Sequence, residues 1–385
     1  MAFQDRFTYF SPTRLVVGRG AISEIPDLVA ARNKKKALVV TDAGLVRAGL
    51  VDRVTSVLDG AGLACAVYDG VQPNPPVHGV HACADCYREN DCDWLLAVGG
   101  GSSMDVAKTA GVLVTNGGKI EDYFGPGKVK TRIPFLLCVP TTYGTASEVT
   151  PFAVVTDNNA YKAAVIGPEI ISDIGILDAD MAVALPLPIA GATGMDALTH
   201  AIESYTSLAA SPISEGLALH AIRLASENLR QAAASDHNHD ATGQMLIASN
   251  MAGMAFSQSR LGNIHAMSHP VSGHYGTAHG VANAILLPHI MDFNRIACPE
   301  KFADIAAALG TDVAGLDDME AATCAVEAVE DLSRDLGIPK TLTEAGAKPE
   351  GIPVMAEDAM KSGNIQVNPR KTTLKDVTAL YEASI

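Results

Sequence analysis

The sequence lacks the features that mark membrane, exported or nucleic-acid-binding proteins. None of its 385 residues belongs to an apolar run long enough to span a bilayer. The N-terminal stretch has mixed charge and no apolar signal core, so export by a signal peptide is not expected. The formal net charge is −15 and basic residues cluster only at Lys34-Lys35-Lys36, so we expect neither nucleic acid nor an anionic membrane as the main partner.

Cysteine is also too sparse to form a disulfide framework, because only seven occur in this long chain. Cys83 and Cys86 form a C-x-x-C pair, a spacing found in redox sites and zinc half-sites. The pair lies in an apparent helix and no second C-x-x-C exists, which favours a structural role. We therefore expect a cytoplasmic protein.

Short apolar runs alternate with amphipathic stretches in the first part of the chain. The runs predicted to be strands cover residues 14–18, 36–41, 64–68, 94–98 and 135–139. The predicted helices between them cover residues 21–32, 46–61 and 77–90, with another beginning near 104. Continuous apolar strands between helices indicate a parallel sheet that is covered on both faces.

The composition changes near Leu185-Pro-Leu-Pro188, and strand-like runs become scarce beyond this point. The predicted helices there cover residues 191–207, 212–233, 241–256, 281–294, 299–308, 319–336 and 354–360. The length suits two domains, each with its own core. We predict an α/β domain over residues 1–184 and an all-α domain over residues 185–385.

A glycine- and serine-rich turn joins the strand at 94–98 to the helix that follows. Glycines let backbone N–H groups approach an anion, and a helix start favours negative charge. The turn matches neither the G-x-G-x-x-G fingerprint nor a P-loop, so a simple tight turn is the alternative. The candidate phosphate-binding residues are Gly99, Gly100, Gly101 and Ser102.

Polar residues follow two other predicted strands, where α/β sheets bind ligands. Asp42 could accept hydrogen bonds from a ribose diol and repel a 2′-phosphate, which would favour NAD over NADP; a helix N-cap is an equally good interpretation. Thr141 and Thr142 occupy the loop after the strand at 135–139.

Histidines and one aspartate are concentrated in two helical stretches of the second domain. Asp196 and His200 lie four residues apart and would share a helix face, as would His265 and His269. Pro270 should disturb or end the second helix. A surface pair is the ordinary interpretation of one such spacing, but burying so many imidazoles without a task is costly. The hypothesis is that one Fe²⁺ or Zn²⁺ is held, with coordination open for a substrate oxygen, by Asp196, His200, His265 and His279.

Four motifs resemble those of the iron-containing (group III, metal-dependent) alcohol dehydrogenases. They are GGGSSMDVAK at 99–108, PTTYGTASEVT at 140–150, GMDALTHAIES at 194–204 and HAMSHPVSGHYGTAHGVANAILLPH at 265–289. The resemblance extends over nearly the whole chain. It implies a dinucleotide-binding α/β domain, a helical metal-binding domain and an active site in the cleft between them.

The resemblance also implies a role for individual residues. The metal ligands fall on Asp196, His200, His265 and His279, for Fe²⁺ or for Zn²⁺, Mn²⁺ or Co²⁺. His269 matches a non-ligand histidine near the nicotinamide, which either relays a proton or only packs. The NAD contacts fall on Asp42, Asn74, Gly99, Gly100, Gly101, Ser102, Thr141, Thr142 and Lys162. A homodimer or larger homo-oligomer is expected.

Four residues depart from the common family pattern and guide the expected substrate: Tyr143, Arg260, Asn263 and His274. If they line the pocket, Arg260 could bind an anionic group, and the substrate is a short anionic aldehyde, with sulfoacetaldehyde reduced to isethionate as first choice. Succinic semialdehyde and phosphonoacetaldehyde come next. If they do not, Arg260 forms a salt bridge elsewhere and neutral substrates fit, such as lactaldehyde/1,2-propanediol or 1,3-propanediol.

Two other classes fit parts of this pattern. A dehydroquinate-synthase-like cyclase or a glycerol dehydrogenase would share the two-domain plan, although the aspartate and histidine set favours the alcohol dehydrogenases. A non-enzyme with a structural metal would more often use cysteines, and no cysteine lies near these histidines in the sequence.

Overall fold

The computed structural model describes residues 6–157 and 162–385. The first five residues of the N-terminal stretch, which is not expected to be a signal peptide, lie outside these ranges. The described chain forms two compact units. One contains residues 11–142 and 146–184, and the other contains residues 6–10, 143–145 and 185–385. The main division lies between Ala184 and Leu185, and two short segments group with the helical unit.

The α/β unit contains two sheets. The nine strands found among its described residues are β1 (Arg14–Val17), β2 (Lys36–Val40), β3 (Ala64–Tyr68), β4 (Trp94–Gly99), β5 (Gly125–Pro126), β6 (Leu136–Pro140), β7 (Phe152–Thr156), β8 (Lys162–Ile166) and β9 (Ile174–Leu177). Six form a parallel sheet in the order β1-β9-β6-β4-β2-β3. A smaller sheet has the order β5-β8-β7. The predicted parallel sheet is confirmed, whereas β5, β7, β8 and β9 were missed.

Strand β4 lies in the interior of the large sheet, between β6 and β2, and both of its faces are covered. Leu95 and Ala97 point into one apolar cluster, and Trp94, Leu96 and Val98 point into the other. The covering helices include α1 (Ile25–Ala30), α2 (Ala43–Arg47), α3 (Leu50–Gly60), α4 (Val77–Glu89) and α5 (Gly101–Asn116). Burial on both sides explains why this strand is a continuous apolar run rather than an alternating one.

The single helix predicted over residues 46–61 is two helices. Gly49 separates α2 from α3 in a left-handed conformation with φ of 74°, which glycine adopts without strain. The prediction was wrong here because the hydrophobic period continues across a turn that only the backbone geometry reveals.

The helical unit consists of nine α-helices, within the part of the chain described. They are α6 (Leu187–Thr206), α7 (Pro212–Ala234), α8 (His239–Ser259), α9 (Asn263–Tyr275), α10 (His279–Arg295), α11 (Pro299–Ala308), α12 (Asp318–Asp335), α13 (Ile352–Met360) and α14 (Leu374–Ser384). Helix α6 is buried along most of its length and packs against α7, α8 and α10. Of the helices described, none is long and apolar enough to cross a membrane.

Helix α9 continues through Pro270 to Tyr275, so of the two expectations for this proline, that it disturbs or ends the helix, the second was wrong. A proline removes one backbone hydrogen bond from a helix. Residues on both sides of Pro270 are buried, and the Tyr381 hydroxyl donates to the carbonyl of Met267 over 2.6 Å. Tertiary packing therefore holds this helix across the interruption.

Candidate metal centre and cofactor-binding residues

Helix α6 presents Asp196 and His200 on one buried face. Asp196 is 3 % exposed and His200 is 6 % exposed, and Asp196 Oδ1 lies 3.9 Å from His200 Nε2. The surrounding residues are small, and Gly194 lies so close to Leu229 of α7 that a Cβ at 194 would overlap it. The sequence GATGMDALTH therefore allows the helix to pack tightly while it carries two polar groups inward.

Helices α9 and α10 bring two further histidines to the same carboxylate. Asp196 Oδ1 lies 3.7 Å from Nε2 of His265 and 3.7 Å from Nε2 of His279. Asp196, His265 and His279 can each offer a ligand atom, and these atoms all lie within 4.8 Å of one another. The His200 ring stacks on the His265 ring with centroids 4.5 Å apart. A carboxylate oxygen among imidazole nitrogens suits a divalent transition metal, so the donor set fits the expected ion.

The opposite ring nitrogens of two histidines have partners that fix the rings. His265 Nδ1 lies 2.6 Å from Glu203 Oε2, and Glu203 Oε1 accepts from the backbone N–H of Ile264 over 2.6 Å. His200 Nδ1 lies 3.2 Å from the carbonyl of Gly144. Acceptors at Nδ1 hold the proton there and leave the Nε2 lone pair free for a metal.

Glu203 was not among the site residues predicted from the sequence, although it makes this contact. Glu203 lies one further turn along α6 from His200, on the same face as Asp196. That helical spacing was available in the sequence, but its partner His265 is on another helix.

The electrostatics of the cluster favour a charged Asp196 and a neutral His200. Burial acts to raise the pKa of the Asp196 carboxyl, but His200, His265 and His279 hold it well below its usual range. Burial lowers the pKa of His200 to about 4, against the pull of Asp196. Burial also acts to lower the pKa of His265, but Glu203 and Asp196 raise it to about 9. A cation that binds at Nε2 of His265 must displace the second ring proton, while the proton on Nδ1 stays with Glu203.

Replacing Glu203 by glutamine should weaken metal binding by about 10- to 100-fold, the usual effect of losing a group that orients a metal-bound imidazole. Glutamine keeps the volume but removes the charge that fixes the Nδ1 proton of His265. Dissociation constants for Co²⁺ would test this. An affinity equal to that of the wild type would return Glu203 to a packing role.

His269 lies on the solvent side of the cluster. Its exposed ring stacks on the His279 ring, with centroids 5.2 Å apart, and meets the His265 ring edge-on at 6.1 Å. An exposed imidazole beside the candidate ligands can exchange protons with water.

Tyr143 and Gly144 belong to the short segment that groups with the helical unit. A Cβ on Gly144 would lie 2.9 Å from the carbonyl of Thr193, so glycine permits the close approach to α6 that brings its carbonyl to His200. Tyr143 is 1 % exposed, and its hydroxyl makes no hydrogen bond within residues 6–157 and 162–385. Burial raises the pKa of this hydroxyl, which therefore stays a neutral donor.

The other three predicted substrate residues have partners outside the ligand cluster. Arg260 is exposed at the end of α8, with φ of 63°, and its guanidinium lies beside Gly363. Asn263 is fully buried, and its Nδ2 donates to Thr372 Oγ1 over 2.8 Å. His274 is exposed, and its Nε2 lies 2.9 Å from Asp358 Oδ2. These contacts do not support a common pocket formed by the three residues.

The predicted phosphate turn forms the N-terminus of α5. A Cβ on Gly99 would overlap the Ser103 hydroxyl, and one on Gly100 would lie 3.2 Å from Thr142 Oγ1. Gly101 begins the helix, Ser102 lies in its first turn, and no side chain caps it. Thr141 N–H donates to the carbonyl of Gly99 over 3.0 Å. Uncapped amides beside a cradle that any Cβ would fill suit a pyrophosphate, so the turn fits the expected dinucleotide.

The remaining cofactor candidates lie in the same unit. Asp42 is the N-cap of α2, and both hydrogen bonds, from the N–H groups of Gly44 at 2.7 Å and Leu45 at 3.1 Å, go to Oδ1. Asn74 has φ of 51°, and its carbonyl accepts from Thr156 Oγ1. Thr156 pairs with Lys162 across β7 and β8, so Asn74 and Lys162 lie in one neighbourhood.

An α/β unit with a glycine-rich turn that fits a pyrophosphate and a helical unit with a carboxylate–imidazole cluster are typical of a metal-dependent dehydrogenase. The chain belongs to the iron-containing alcohol dehydrogenase family, whose model, "Iron-containing alcohol dehydrogenase", matches residues 12–179. A second model, "Fe-containing alcohol dehydrogenase family, C-terminal", matches residues 190–385. The predicted family and enzyme class are therefore confirmed.

The chain is similar over its full length to proteins of known activity. It is 42% identical over 378 residues to the 1,3-propanediol dehydrogenase of Citrobacter freundii, covering 97% of this chain and 98% of the relative. A crystal structure of a 1,3-propanediol oxidoreductase superposes with a TM-score of 0.96 at 41% identity, over 99% of this chain and 100% of that one. The sulfoacetaldehyde reductase of Bifidobacterium kashiwanohense, solved with NAD⁺, has a TM-score of 0.89 at 30% identity, over 99% of each chain.

Proposed function

We propose that this oxidoreductase uses NAD(H) and a bound Fe²⁺ to interconvert a short neutral hydroxyaldehyde and its diol, with 3-hydroxypropanal and 1,3-propanediol as the leading pair. The observation that carries the metal-dependent activity is the convergence of Asp196 Oδ1 on the Nε2 atoms of His200, His265 and His279. Asn263, His274 and Arg260, the groups on which an anionic substrate would depend, make contacts elsewhere.

Different residues of the helical unit would bind the metal, orient its ligands and exchange the substrate proton. A divalent ion held by Asp196 and the three histidines would supply Lewis-acid polarisation of the substrate oxygen. Glu203 and the Gly144 carbonyl keep the rings of His265 and His200 oriented towards Asp196. We propose that a ring nitrogen of His269 exchanges the substrate proton with water, because this ring is exposed beside His279.

The α/β unit would bind the nicotinamide cofactor that carries the hydride. The backbone amides at Gly100, Gly101 and Ser102 would hold the pyrophosphate at the start of α5. Asp42 uses only Oδ1 for its cap bonds, so Oδ2 would accept hydrogen bonds from the adenosine ribose and disfavour NADP.

Replacing Asp42 by serine separates its two roles. Serine is also a good N-cap, so Asp42→Ser should lower the melting temperature by less than Asp42→Ala does. The carboxylate is lost, so KM for NADH should rise about 30-fold and discrimination against NADPH should fall, as expected for the loss of one charged hydrogen bond worth about 2 kcal/mol. Steady-state rates with both cofactors test this; an unchanged KM for NADH would leave Asp42 with the cap role alone.

The substrate class is tested by NADH consumption with Fe²⁺-loaded protein. We expect kcat/KM for 3-hydroxypropanal, lactaldehyde or butanal to exceed that for sulfoacetaldehyde, succinic semialdehyde or phosphonoacetaldehyde by at least about tenfold, roughly 1.4 kcal/mol. Support comes from the 42% identity to a 1,3-propanediol dehydrogenase, against 30% to a sulfoacetaldehyde reductase. A tenfold preference for one anionic aldehyde would overturn the neutral assignment.

Replacing Arg260 by alanine gives a second check on the substrate. Because the side chain is exposed beside Gly363, we expect kcat/KM for 3-hydroxypropanal and for sulfoacetaldehyde to change by less than about threefold each. A selective loss with sulfoacetaldehyde would restore Arg260 as an anion-binding residue. A homodimer or larger assembly and a cytoplasmic location stay predictions from the sequence.

A further inference from the structure

The first turn of α9 depends on side chains from elsewhere in the helical unit for its caps. Its N-cap is Gly262, which has no side chain to accept from the free N–H groups of that turn. Glu203 Oε1 accepts from Ile264 over 2.6 Å, and Asn368 Oδ1 accepts from the N–H of Asn263 over 3.2 Å. A Cβ on Gly262 would lie 3.0 Å from each of these two oxygens, so glycine allows both to approach. Two distant residues therefore hold the start of α9.

The amide of Asn368 has a fixed direction, because a backbone group faces each of its ends. Its Nδ2 donates to the carbonyl of Arg370 over 2.8 Å, and a carbonyl can only accept. Its Oδ1 faces the N–H of Asn263, which can only donate. Exchanging the two ends would place a donor against a donor and an acceptor against an acceptor. Asn368 is 2 % exposed, so water does not replace these partners.

Residues 367–372, here called the C-terminal segment, bond to α9 and α10 and to the chain just after α6. These three helices carry the four candidate metal ligands. The N–H of Leu208, two residues after α6 ends, donates to the carbonyl of Val367 over 2.8 Å. Asn294 in the last turn of α10 exchanges hydrogen bonds of 3.1 and 2.8 Å with Asn368. The same Asn368 side chain therefore bonds to the end of α10 and to the start of α9.

The turn between α8 and α9 has a backbone conformation that other contacts must maintain. Arg260 has φ of 63° and ψ of −173°, a region that is almost confined to glycine. Such a conformation persists only where the surrounding structure fixes it. The Ser207 hydroxyl donates to the carbonyl of Ser259 over 2.6 Å on one side of the turn. Glu203 and Asn368 fix the other side, so losing one of these contacts lets the turn relax and moves the first residues of α9.

We propose that Asn368 is a positioning residue of the metal centre, which holds the start of α9 against α10 and so sets the place of His265 relative to His279. His265 is the third residue of α9, directly within the turn that Asn368 caps. The inference rests on the proposed metal centre and deepens it. Asn368 is not a ligand; it acts on the ligands through the helices that carry them.

The test compares Asn368→Ala with Asn294→Ala in metal-depleted protein. Both variants lose the pair of hydrogen bonds between the two asparagines, and both replace a buried amide by a methyl group. Only Asn368→Ala also removes the acceptor at the start of α9. Chelator competition gives dissociation constants for Co²⁺, the visible spectrum of bound Co²⁺ reports the geometry of its ligands, and denaturant unfolding gives the stability.

We expect Asn368→Ala to weaken Co²⁺ binding by about 10- to 100-fold, the usual effect of losing a group that orients metal ligands, whereas Asn294→Ala stays within about threefold of the wild type. The Co²⁺ spectrum should change in Asn368→Ala alone, because only there is His265 displaced. Both variants should unfold at lower denaturant concentrations than the wild type, so the loss of stability does not by itself account for the difference in affinity.

Each alternative outcome is distinct. Wild-type Co²⁺ affinity in folded Asn368→Ala would overturn the positioning role and leave the metal centre intact. Equal weakening in both variants would also overturn it, because a general loss of packing would then be sufficient. No Co²⁺ binding by the wild type would remove the proposed centre itself, and this role with it.

If Asn368→Ala does not fold, Asn368→Ser decides. Serine fills more of the space, but its hydroxyl ends one bond short of the position from which Asn368 Oδ1 reaches the N–H of Asn263. Co²⁺ binding by this variant should still weaken by at least about tenfold. Wild-type affinity in Asn368→Ser would overturn the proposal.

Discussion

Replacing His265 by alanine should abolish metal retention and lower kcat by about 10³-fold or more. Lewis-acid polarisation contributes several kcal/mol to such reactions, and each 1.4 kcal/mol corresponds to a factor of ten. His265 also links two carboxylates of the centre, since its two ring nitrogens face Asp196 and Glu203. Its loss leaves two buried carboxylates without their shared imidazole, so the folded state should also lose stability.

Metal content after purification and NADH turnover test this expectation together. His274→Ala is the matched control, because the exposed His274 is on the same helix but pairs with Asp358, away from the ligand cluster. It should retain metal and turnover within about twofold, as surface substitutions usually do. Full metal content and activity in His265→Ala would refute the ligand assignment.

Replacing Gly280 by alanine should also abolish metal binding, although the Gly280 side chain offers no ligand atom. A Cβ at 280 would overlap the backbone carbonyl of Ala192, so α10 would have to move away from α6. His279 precedes this position and Asp196 lies one turn beyond Ala192, so the shift separates two candidate ligands. Forcing an extra carbon into packed backbone costs about 1–3 kcal/mol of unfolding free energy.

Gly216→Ala is the control for this substitution. Gly216 is exposed in α7 and a Cβ there would meet nothing within 4 Å, so alanine should stabilise the helix by about 0.5–1 kcal/mol. Denaturant unfolding gives the stability change, and Co²⁺ titration gives the affinity. Unchanged Co²⁺ affinity in Gly280→Ala would show that the α6–α10 approach does not set the ligand spacing.

The fold was predictable wherever the hydrophobic pattern of a segment indicates which of its faces are buried. Strand β4 has a continuous apolar run because clusters on both faces bury it. Strands β7 and β8 bury only alternate residues and depend on pairing with each other, so neither is distinctive alone. Helix α14, a mixed polar and apolar segment at the end of the chain, was also missed.

The metal centre was predictable in part because helical spacing places Asp196 and His200 on one face and further histidines are concentrated in a second helical stretch. The family resemblance selected the same four residues. Glu203 was not predicted as a member of the site, since carboxylates are common in helices and its role depends on His265 of a neighbouring helix. The predicted role of Arg260 depended on the direction of a side chain after α8. Arg260 has a positive φ, a conformation that the sequence of that turn does not predict.

The most direct measurement of the central claim is a titration of Fe²⁺ into metal-depleted protein under anaerobic conditions. Bound iron and NADH-dependent reduction of 3-hydroxypropanal are followed together. The account predicts that activity rises with bound iron and saturates at about one equivalent per chain, and that Asp196→Ala neither binds the ion nor gains activity. Full turnover by wild-type protein with less than about a tenth of an equivalent of any metal would contradict it.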